Sequence, residues 1–413
     1  MPANRCVICE MEQLAAGRVS VNTYLDVPIR SHFVAKTYPL AGSRSPPTLQ
    51  YINSLVSNVL YLCPRTPVST IHEIATLVTT FSSLLMTCVR WYSPSFAYRQ
   101  EVEVVGALMS PARFTIIITC HDQFHVIADT VSSALAQSFA DKEIIVIDDA
   151  STDGSCELLG AFGDEIRLVR LDQNHGMTEA RNAGSAVATG DYLVFLDGDD
   201  MLKPWALTIY DRIIRAYDPR LILANLTWFE GEPPRPLQLD VPAEIRLVRY
   251  ENVVEKDRTF RSCGSAIVAD AKTFASLGRF TKSVKWMPEQ DLLAKFAYHG
   301  RTIQIIDPCT VYYRLHTTNT IHDVPKMIQG CYQLVAAAEG RIQPAGLGAR
   351  LRSYPLIGGP AFYGVKRAYR AGLYLEASKL LARAWPSVTA AAVARLSANL
   401  FGHRPIETIP VQV

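Results

Sequence analysis

The sequence predicts an α/β protein built on a mostly parallel, doubly wound sheet, with a helical C-terminal tail. Short β-branched runs alternate with segments of helical apolar spacing between residues 113 and 225. Two of these runs end in clustered aspartates, and the residues beyond about 330 have a helical pattern. Strands that alternate with helices at this spacing are typical of a parallel sheet with helices on both faces.

The first strand, helix and second strand lie close together in the chain. A β-branched run over 114–119 predicts a buried strand, and a loop over 120–123 leads into a helix whose apolar positions fall within 127–135. Residues 143–147 predict the second strand. The stretch Ser-Thr-Asp-Gly-Ser over 151–155 supplies capping-type residues for the next helix.

Two further strand and helix pairs follow. A short strand is predicted over 166–169, with a loop and helix over 172–188, and the strand over 192–196 leads into the second acidic cluster. A helix is predicted over 204–217, because it begins with a proline, which is favoured in a first turn. Residues 221–224 then predict another strand.

The pattern is less regular after residue 230. Prolines within 230–243 predict a loop or insertion, which precedes a strand over 265–268 and a helix over 287–299. Two separate strands are predicted over 302–306 and 311–314. In the tail, helix breaks are expected at prolines and glycines, namely Pro344, Pro355, Gly358, Gly359, Pro360 and Pro386.

Length and composition indicate a folded protein of two or three domains. The 413 residues are 49% hydrophobic, and the net charge of +2 gives no nucleic-acid signature. We predict an N-terminal accessory region of unknown role over 1–110, an α/β domain over 111–325 and a mainly helical, basic region over 326–413. In the first region only 71–92 has a helical pattern.

Basic residues concentrate in the C-terminal region. Residues 341–405 hold ten Lys or Arg against one acid, Glu376. This asymmetry would suit a surface that rests on an anionic membrane or binds a phosphorylated acceptor. A solvated basic helical face is the alternative interpretation.

Cysteine usage and the N-terminus predict a cytoplasmic location, and the basic C-terminal region predicts peripheral contact at the inner membrane face. The nine cysteines form no regular framework, which favours a reducing compartment, and the pair Cys6 and Cys9 lacks the partners of a zinc site. No long apolar stretch follows Arg5, so no secretory signal is expected. The longest uncharged run, 74–89, is shorter than the roughly 20 residues that a membrane span needs.

Five carboxylates are expected at one crevice of the sheet. Asp148 and Asp149 end one apolar run, and Asp197, Asp199 and Asp200 end another. Ligands of open α/β sheets bind beyond the carboxyl ends of such strands. Mutual repulsion among the carboxylates would be costly unless a cation or a donor-rich ligand joined them. A divalent metal with a nucleoside diphosphate would meet that need.

Three segments, 144–155, 174–184 and 190–200, resemble the signatures of the family 2 glycosyltransferases of the GT-A fold. The first contains Ile-Val-Ile-Asp-Asp-Ala-Ser-Thr-Asp-Gly-Ser, and the third ends in Asp-Gly-Asp-Asp. The resemblance extends over residues 112 to about 318. It implies a GT-A type, Rossmann-like core that binds a nucleotide-sugar, and sugar transfer with inversion at the anomeric carbon.

The Asp-x-Asp segment of this resemblance implies a metal site. Asp197 and Asp199, on either side of Gly198, offer hard oxygens suited to Mn²⁺ or Mg²⁺, which would bridge the phosphates of the donor. Asp200 would support them or face the donor sugar. His316 lies in a segment that resembles the closing motif of the family, where it would meet the metal or the diphosphate. A structural acidic turn is the alternative for the cluster.

Other residues are implied in donor binding. Asp148 or Asp149 resembles the aspartate that binds the nucleotide base, and Thr119 lies in the loop that clamps it. The family commonly has Pro-x-Tyr-Asn in that loop, whereas this chain has Thr-Cys-His-Asp. His121 would stack on the base instead of the aromatic residue, which leaves the nucleotide open. Arg181 suits a phosphate or base carbonyl.

A salt bridge from Arg181 to Asp153 or Asp172 is the alternative for that arginine.

The sequence leaves two candidates for the catalytic base. The family usually presents a Glu-Asp pair before a helix, whereas this chain has Glu289, Gln290 and Asp291. We favour Asp291 as the base that takes the acceptor proton, with Glu289 as the alternative.

The sequence therefore predicts a metal-dependent, inverting glycosyltransferase. A UDP-sugar is the expected donor and a saccharide or lipid-linked saccharide the expected acceptor, in the synthesis of polysaccharide or cell-envelope glycan. Gln290 also allows a second interpretation, a catalytically weakened protein on the same fold that binds sugar nucleotide or serves as a scaffold. A dehydrogenase is disfavoured because no G-x-G-x-x-G follows the first strand.

Overall fold

The structure is a computed structural model. It describes residues 114–234, 240–251, 263–297, 299–316, 323–342, 346–401 and 405–411. The chain divides into two units, Met1–Phe96 and Ala97–Val413, and every described residue belongs to the second. The helix predicted over 71–92 and the pair Cys6 and Cys9 lie outside the described residues.

The described part forms an α/β domain with one ten-stranded sheet, in the order β10-β7-β9-β6-β8-β4-β1-β2-β3, with β5 paired to β9. The strands are β1 (Phe114–Cys120), β2 (Lys142–Asp148), β3 (Arg167–Arg170), β4 (Tyr192–Asp197), β5 (Met201–Leu202), β6 (Leu221–Glu230), β7 (Glu244–Tyr250), β8 (Ile267–Asp270), β9 (Thr302–Leu315) and β10 (Glu407–Pro410). The helices are α1 (Ile127–Leu135), α2 (Ser155–Gly160), α3 (Met177–Val187), α4 (Ala206–Tyr217), α5 (Ala271–Ser276), α6 (Pro288–Phe296), α7 (Val324–Ile342), α8 (Gly346–Arg370) and α9 (Tyr374–Phe401).

The parallel pairing that was predicted for the sheet is confirmed in β3-β2-β1-β4. These strands pair in parallel, so their carboxyl ends share one edge. Cys120 is opposite Asp148 and Thr119 is opposite Asp197. The register therefore places Asp148 and Asp197, the first residues of the two predicted acidic clusters, on opposite sides of the end of β1.

Helices cover both faces of this sheet, as a doubly wound topology requires. One buried cluster joins the sheet to α1 and α4, through residues such as Val131 and Tyr210. A second cluster joins the other face to α3 and α6, through residues such as Ala180 and Leu292. Both cores are dominated by β-branched and leucine side chains, in agreement with the apolar runs of the sequence.

Beyond β4 the pairing is mixed. β8 runs antiparallel to both β4 and β6, whereas β6 and β9 are parallel. The prediction of separate strands over 302–306 and 311–314 is wrong, because β9 continues through Pro308, where the pairing with β6 shifts register. A proline is tolerated in a strand at such an irregularity. β7, which follows the proline-rich loop, was not predicted.

The C-terminal region forms three helices and then returns to the sheet. The helix breaks expected at Pro355, Gly358, Gly359, Pro360 and Pro386 are wrong, because α8 and α9 continue through these residues, and Pro344 lies outside the described residues. β10 then pairs with β7, and Val411 is buried in the core of the domain. In the part of the chain that the structure describes, no helix is sufficiently long and apolar to cross a membrane.

Candidate active site

Asp197 ends β4 at the carboxyl edge of the parallel strands, and its main chain and its side chain both form hydrogen bonds. Its backbone N–H donates to Ser265 Oγ at 3.0 Å, and its Oδ1 accepts from Arg181 Nη2 at 2.5 Å. Its side chain remains about one-fifth exposed, with a relative exposure of 21%. Asp197 is therefore a fixed carboxylate with a partly open face.

Arg181 connects two predicted site carboxylates. It lies on α3 with 0% exposure, and its Nη1 donates to Glu289 Oε1 at 3.0 Å while its Nη2 binds Asp197. Burial acts to lower the pKa of the guanidinium, but the charges and hydrogen bonds of Asp197 and Glu289 outweigh it and raise the pKa. The alternative prediction, a salt bridge from Arg181 to Asp153 or Asp172, is wrong. Both Nη atoms bind carboxylates of the site.

The structure separates the two candidates for the catalytic base. Glu289 lies in the first turn of α6, shares Arg181 with Asp197 and keeps 13% side-chain exposure. Asp291 is 0% exposed, accepts from Thr281 Oγ1 at 2.6 Å and lies 3.7 Å from Lys295 Nζ. The geometry brings Glu289 to the acidic edge of the sheet and gives Asp291 partners within the core.

Asp199 and His316 come together from segments that are 117 positions apart, with His316 Nε2 2.7 Å from Asp199 Oδ2. Burial and the neighbouring Asp197 raise the pKa of the Asp199 carboxyl, and His316 opposes them. Among the described residues, no group of three His, Cys, Asp or Glu is arranged to hold a metal. One oxygen and one nitrogen would nevertheless suit Mn²⁺ or Mg²⁺ if diphosphate and water supplied the other ligands.

Asp200 supports the acidic loop from beneath. It is fully buried, accepts from Ser265 Oγ at 2.5 Å and accepts from the Arg314 backbone N–H at 3.0 Å. Burial, Asp199 and Asp197 together raise its pKa well above the ordinary value of an aspartate. Of the two roles expected for Asp200, these contacts favour support of the loop over contact with a donor sugar.

Gly198 is needed for close packing. It is buried, its carbonyl accepts from Thr130 Oγ1 at 2.9 Å, and a Cβ at this position would overlap the carbonyl oxygen of Thr119 and the side chain of Gln123. Thr119 itself is 8% exposed on β1. Gly198 and Thr119, both predicted to bind the donor, therefore form the base of the crevice through their backbone atoms.

Asp148 and Asp149 differ in how their carboxylates are occupied. Both oxygens of Asp149 accept backbone N–H groups, from His175 at 2.8 Å and Gly176 at 2.7 Å. Asp148 is 0% exposed, and its Oδ1 accepts from the Ser151 N–H at 3.1 Å. Its Oδ2 is buried and accepts no hydrogen bond within the described part of the chain, although Arg170 Nε lies 3.4 Å away.

Two hydrogen bonds fix His121 next to Asp149, at the end of the site where the nucleotide base is expected to bind. Its Nδ1–H donates to the Asp149 carbonyl at 2.8 Å, and Asn174 Nδ2 donates to its Nε2 at 2.7 Å. The side chain keeps 39% exposure. A ring whose edge is held in this way is well placed to offer a face, as the predicted stacking role requires.

Several residues of the site had no role in the sequence interpretation. Gly264 and Ser265 precede β8, and Arg314 lies near the end of β9. The guanidinium of Arg314 donates to the carbonyls of Asp199 and Gly231 at 3.1 and 2.8 Å. Arg314 lies in the segment that resembles the closing motif of the family. Gly264 and Ser265 carried no local signal, because their partners are distant in sequence.

Comparisons with known proteins agree on the family. The model of glycosyl transferase family 2 matches residues 115–267. The succinoglycan biosynthesis protein ExoO of Rhizobium meliloti is 37% identical over 91 residues, which are 22% of this chain and 26% of that protein. A poly-β-1,6-N-acetyl-D-glucosamine synthase of Staphylococcus epidermidis is 31% identical over 155 residues, which are 37% of this chain and 36% of that protein.

A third relative is the putative teichuronic acid biosynthesis glycosyltransferase TuaG of Bacillus subtilis, 38% identical over 92 residues, 22% of this chain and 36% of that protein. A crystal structure of S. aureus TarS 1–349 with UDP-GlcNAc aligns with a TM-score of 0.44 and 13% identity, over 70% of this chain and 93% of that chain. The match thus spans little more than a third, or less, of each of these three curated relatives. Residues 115–267 of this chain, more than a third of its length, therefore match glycosyl transferase family 2.

Proposed function

We propose that this protein transfers a sugar from a nucleoside-diphosphate donor to a hydroxyl group of a saccharide or lipid-linked saccharide, with inversion. The observation that carries the proposal is the pairing of Arg181 with both Glu289 and Asp197 at the carboxyl edge of the parallel strands. This contact places a candidate base beside the acidic loop. The match to the family supports the reaction class, and inversion follows from the family resemblance.

Glu289 is the base in this proposal. General-base catalysis requires a carboxylate that can reach the acceptor proton, and Glu289 is partly exposed whereas Asp291 is fully buried. The Arg181 guanidinium forms an ion pair with Glu289, with Nη1 3.0 Å from Oε1. Its hydrogen bond to Arg181 also fixes the Glu289 side chain relative to Asp197.

Asp199 and His316 would hold a divalent cation, Mn²⁺ or Mg²⁺, together with the donor phosphates. When bound, the ion would neutralise the diphosphate as it departs. Asp197 is less available as a ligand, because its Oδ1 already accepts from Arg181. Asp200 and Arg314 would keep Asp199 in position through the backbone of the loop.

A UDP-sugar is the donor that we propose. Asp148 Oδ2 accepts no hydrogen bond within the described part of the chain, and the imide N–H of uracil would suit it once the loop over 148–151 opens, because the carboxylate is fully buried in this structure. Thymine and guanine carry a comparable N–H, whereas adenine and cytosine do not. His121 would stack on the base, with its ring edge held by Asn174 and the Asp149 carbonyl.

The names of two relatives support the proposed cellular role. ExoO is named for succinoglycan biosynthesis and the S. epidermidis protein for synthesis of a poly-N-acetylglucosamine. We therefore propose that this protein builds an extracellular polysaccharide or cell-envelope glycan. It would act in the cytoplasm, at the inner face of the membrane when the acceptor is lipid-linked.

The test is turnover by the purified full-length protein. UDP-, GDP- and dTDP-sugars are screened with Mn²⁺, with Mg²⁺ and with EDTA, with mixed glycan acceptors, and the released nucleotide is measured. We expect metal-dependent release from a UDP-sugar and at least a hundredfold loss in Glu289→Gln. Calorimetric binding of the donor with no release under any condition would instead support the weakened, donor-binding protein suggested by Gln290.

A further inference from the structure

The turn between α8 and α9 exposes an unusual concentration of apolar side chains. Leu373, Tyr374 and Leu375 are 37%, 59% and 67% exposed, and Tyr363 on α8 is 48% exposed. All six residues from 370 to 375 are exposed. We call residues 370–375 the hairpin tip. Of the nine large hydrophobic residues that are exposed in the described part of the chain, three lie in this tip.

The hairpin tip is held in shape from beneath. Gly372 adopts φ +78°, the Leu373 N–H donates to the Ala368 carbonyl at 3.0 Å, and the rings of Tyr369 and Tyr374 meet edge-on at 4.9 Å. The opposite sides of the two helices are packed in a core that includes Val365, Ala368, Ala377 and Leu380. The leucines of the tip are thus outside that core because the turn directs them outward.

Basic residues flank the tip on both helices. Tyr363, Lys366 and Arg370 follow one another at helical spacing along one side of α8, and Leu375 and Lys379 do so on α9. All five are exposed. The two stripes converge at the turn, so the apolar tip is bordered by positive charge.

Few acids oppose this charge. Between residues 354 and 395 the only acid is Glu376, and it forms an ion pair with Lys379 at 3.0 Å. Exposed leucine and tyrosine beside an excess of lysine and arginine over acids are typical of surfaces that lie in the headgroup region of an anionic membrane. Tyrosine is suited to this depth because its ring is apolar and its hydroxyl remains hydrated.

We propose that the hairpin tip docks on the surface of an anionic phospholipid bilayer. Leu373, Tyr374 and Leu375 enter the headgroup region, while Lys366 and Arg370 bind lipid phosphates. A second copy of this chain is a poorer partner, because a two-fold contact through the tip would bring like charges together. The docking is a separate property from sugar transfer, although it would bring the site to a lipid-linked acceptor.

The experiment is co-sedimentation of the full-length protein with vesicles of phosphatidylcholine alone or with 30% phosphatidylglycerol. We expect binding to the anionic vesicles that falls at least tenfold in Leu373→Ser/Leu375→Ser and in Lys366→Ala/Arg370→Ala, and that weakens with salt. Val241→Ser is the matched apolar control, since Val241 is as exposed as Leu373, at 37%. Lys272→Ala, at an exposed lysine of α5, is the matched charge control.

Three results would overturn the inference. The first is no binding of the unaltered protein to anionic vesicles, and the second is equal binding of the tip variants and the controls. The third is a dimer in light scattering that the tip variants dissociate. Nucleotide release from a soluble acceptor assay should be unchanged in the tip variants, so a failed docking test and a failed transferase test remain distinguishable.

Discussion

Gly264 lies directly against the guanidinium of Arg181, so that a Cβ at this position would overlap Nη2 and approach Asp197 Oδ1 at 3.0 Å. The guanidinium is fully buried and is held by Asp197 and Glu289. A residue with no side chain therefore makes room for the cation that joins two carboxylates of the site.

Gly264→Ala should displace Arg181 and reduce turnover at least tenfold, although glycine has no group that could take part in the chemistry. Disruption of a buried ion pair costs about 3–5 kcal/mol, so the free energy of unfolding should fall as well. Nucleotide release and denaturation in urea measure the two effects. Gly340→Ala is the control, because a Cβ there would meet no atom of the described residues within 4 Å outside its own stretch of helix. Equal activity of both variants would contradict the role assigned to Gly264.

Glu289→Gln should lower kcat strongly while donor affinity stays within a few-fold, because the amide keeps the shape of the side chain but cannot accept a proton. The expected loss in kcat is about 10²–10⁴. Asp291→Asn should mainly destabilise the fold, by about 1–3 kcal/mol, since Asp291 is a buried acceptor for Thr281. Kinetics of nucleotide release, with calorimetric donor binding, distinguish the two. A greater loss of kcat in Asp291→Asn would return the assignment to Asp291.

Asp199→Asn and His316→Ala should each weaken Mn²⁺ binding in the presence of nucleoside diphosphate, by about 10–100-fold. The reason is that the Asp199 carboxylate and the His316 imidazole form the metal-binding pair in our proposal. Electron paramagnetic resonance of free Mn²⁺ measures the binding independently of turnover. Asp172→Asn, an exposed carboxylate outside this pair, serves as the control. Unchanged Mn²⁺ affinity in both site variants would refute the proposed ligands.

Asp149→Asn should loosen the loop before α3. The Asp149 carboxylate accepts N–H groups from His175 and Gly176, and an amide can replace only one of the two acceptors. We expect the free energy of unfolding to fall by about 1–3 kcal/mol and donor affinity to fall with it. Urea denaturation and donor titration measure these effects. If donor affinity fell with no change in stability, Asp149 would instead contact the nucleotide directly.

Gly358→Ala should destabilise the C-terminal helices, because a Cβ on Gly358 would overlap the backbone carbonyl of Ser387 in α9. Overpacking of this kind costs about 1–3 kcal/mol. Its neighbour provides a matched control, since a Cβ on Gly359 would meet only Arg395, at 3.9 Å. Thermal unfolding should therefore show a lower Tm for Gly358→Ala than for Gly359→Ala. Equal Tm values would mean that α8 and α9 can separate without loss of stability.

The prolines of this region show why the tail was only partly predictable. Pro355 and Pro386 are strong local signals for a helix end, yet both lie inside helices. The contact of Gly358 with the backbone at Ser387 shows that α8 and α9 pack closely at this level. The local sequence shows that a proline is unfavourable inside a helix. It does not show the packing between helices, which is formed by residues far apart in the chain.

The sequence by itself determined the parallel strands, the acidic ends of β2 and β4 and the resemblance to the family 2 glycosyltransferases, because these depend on local patterns and on motif order. The tertiary structure decided the pairing of Arg181 with Glu289, which lies 108 positions away, and of His316 with Asp199, 117 positions away. It also buried Asp291 while leaving Glu289 at the edge of the sheet. Two carboxylates on the same helical turn differ only in the face they present, and long-range packing sets which face is buried.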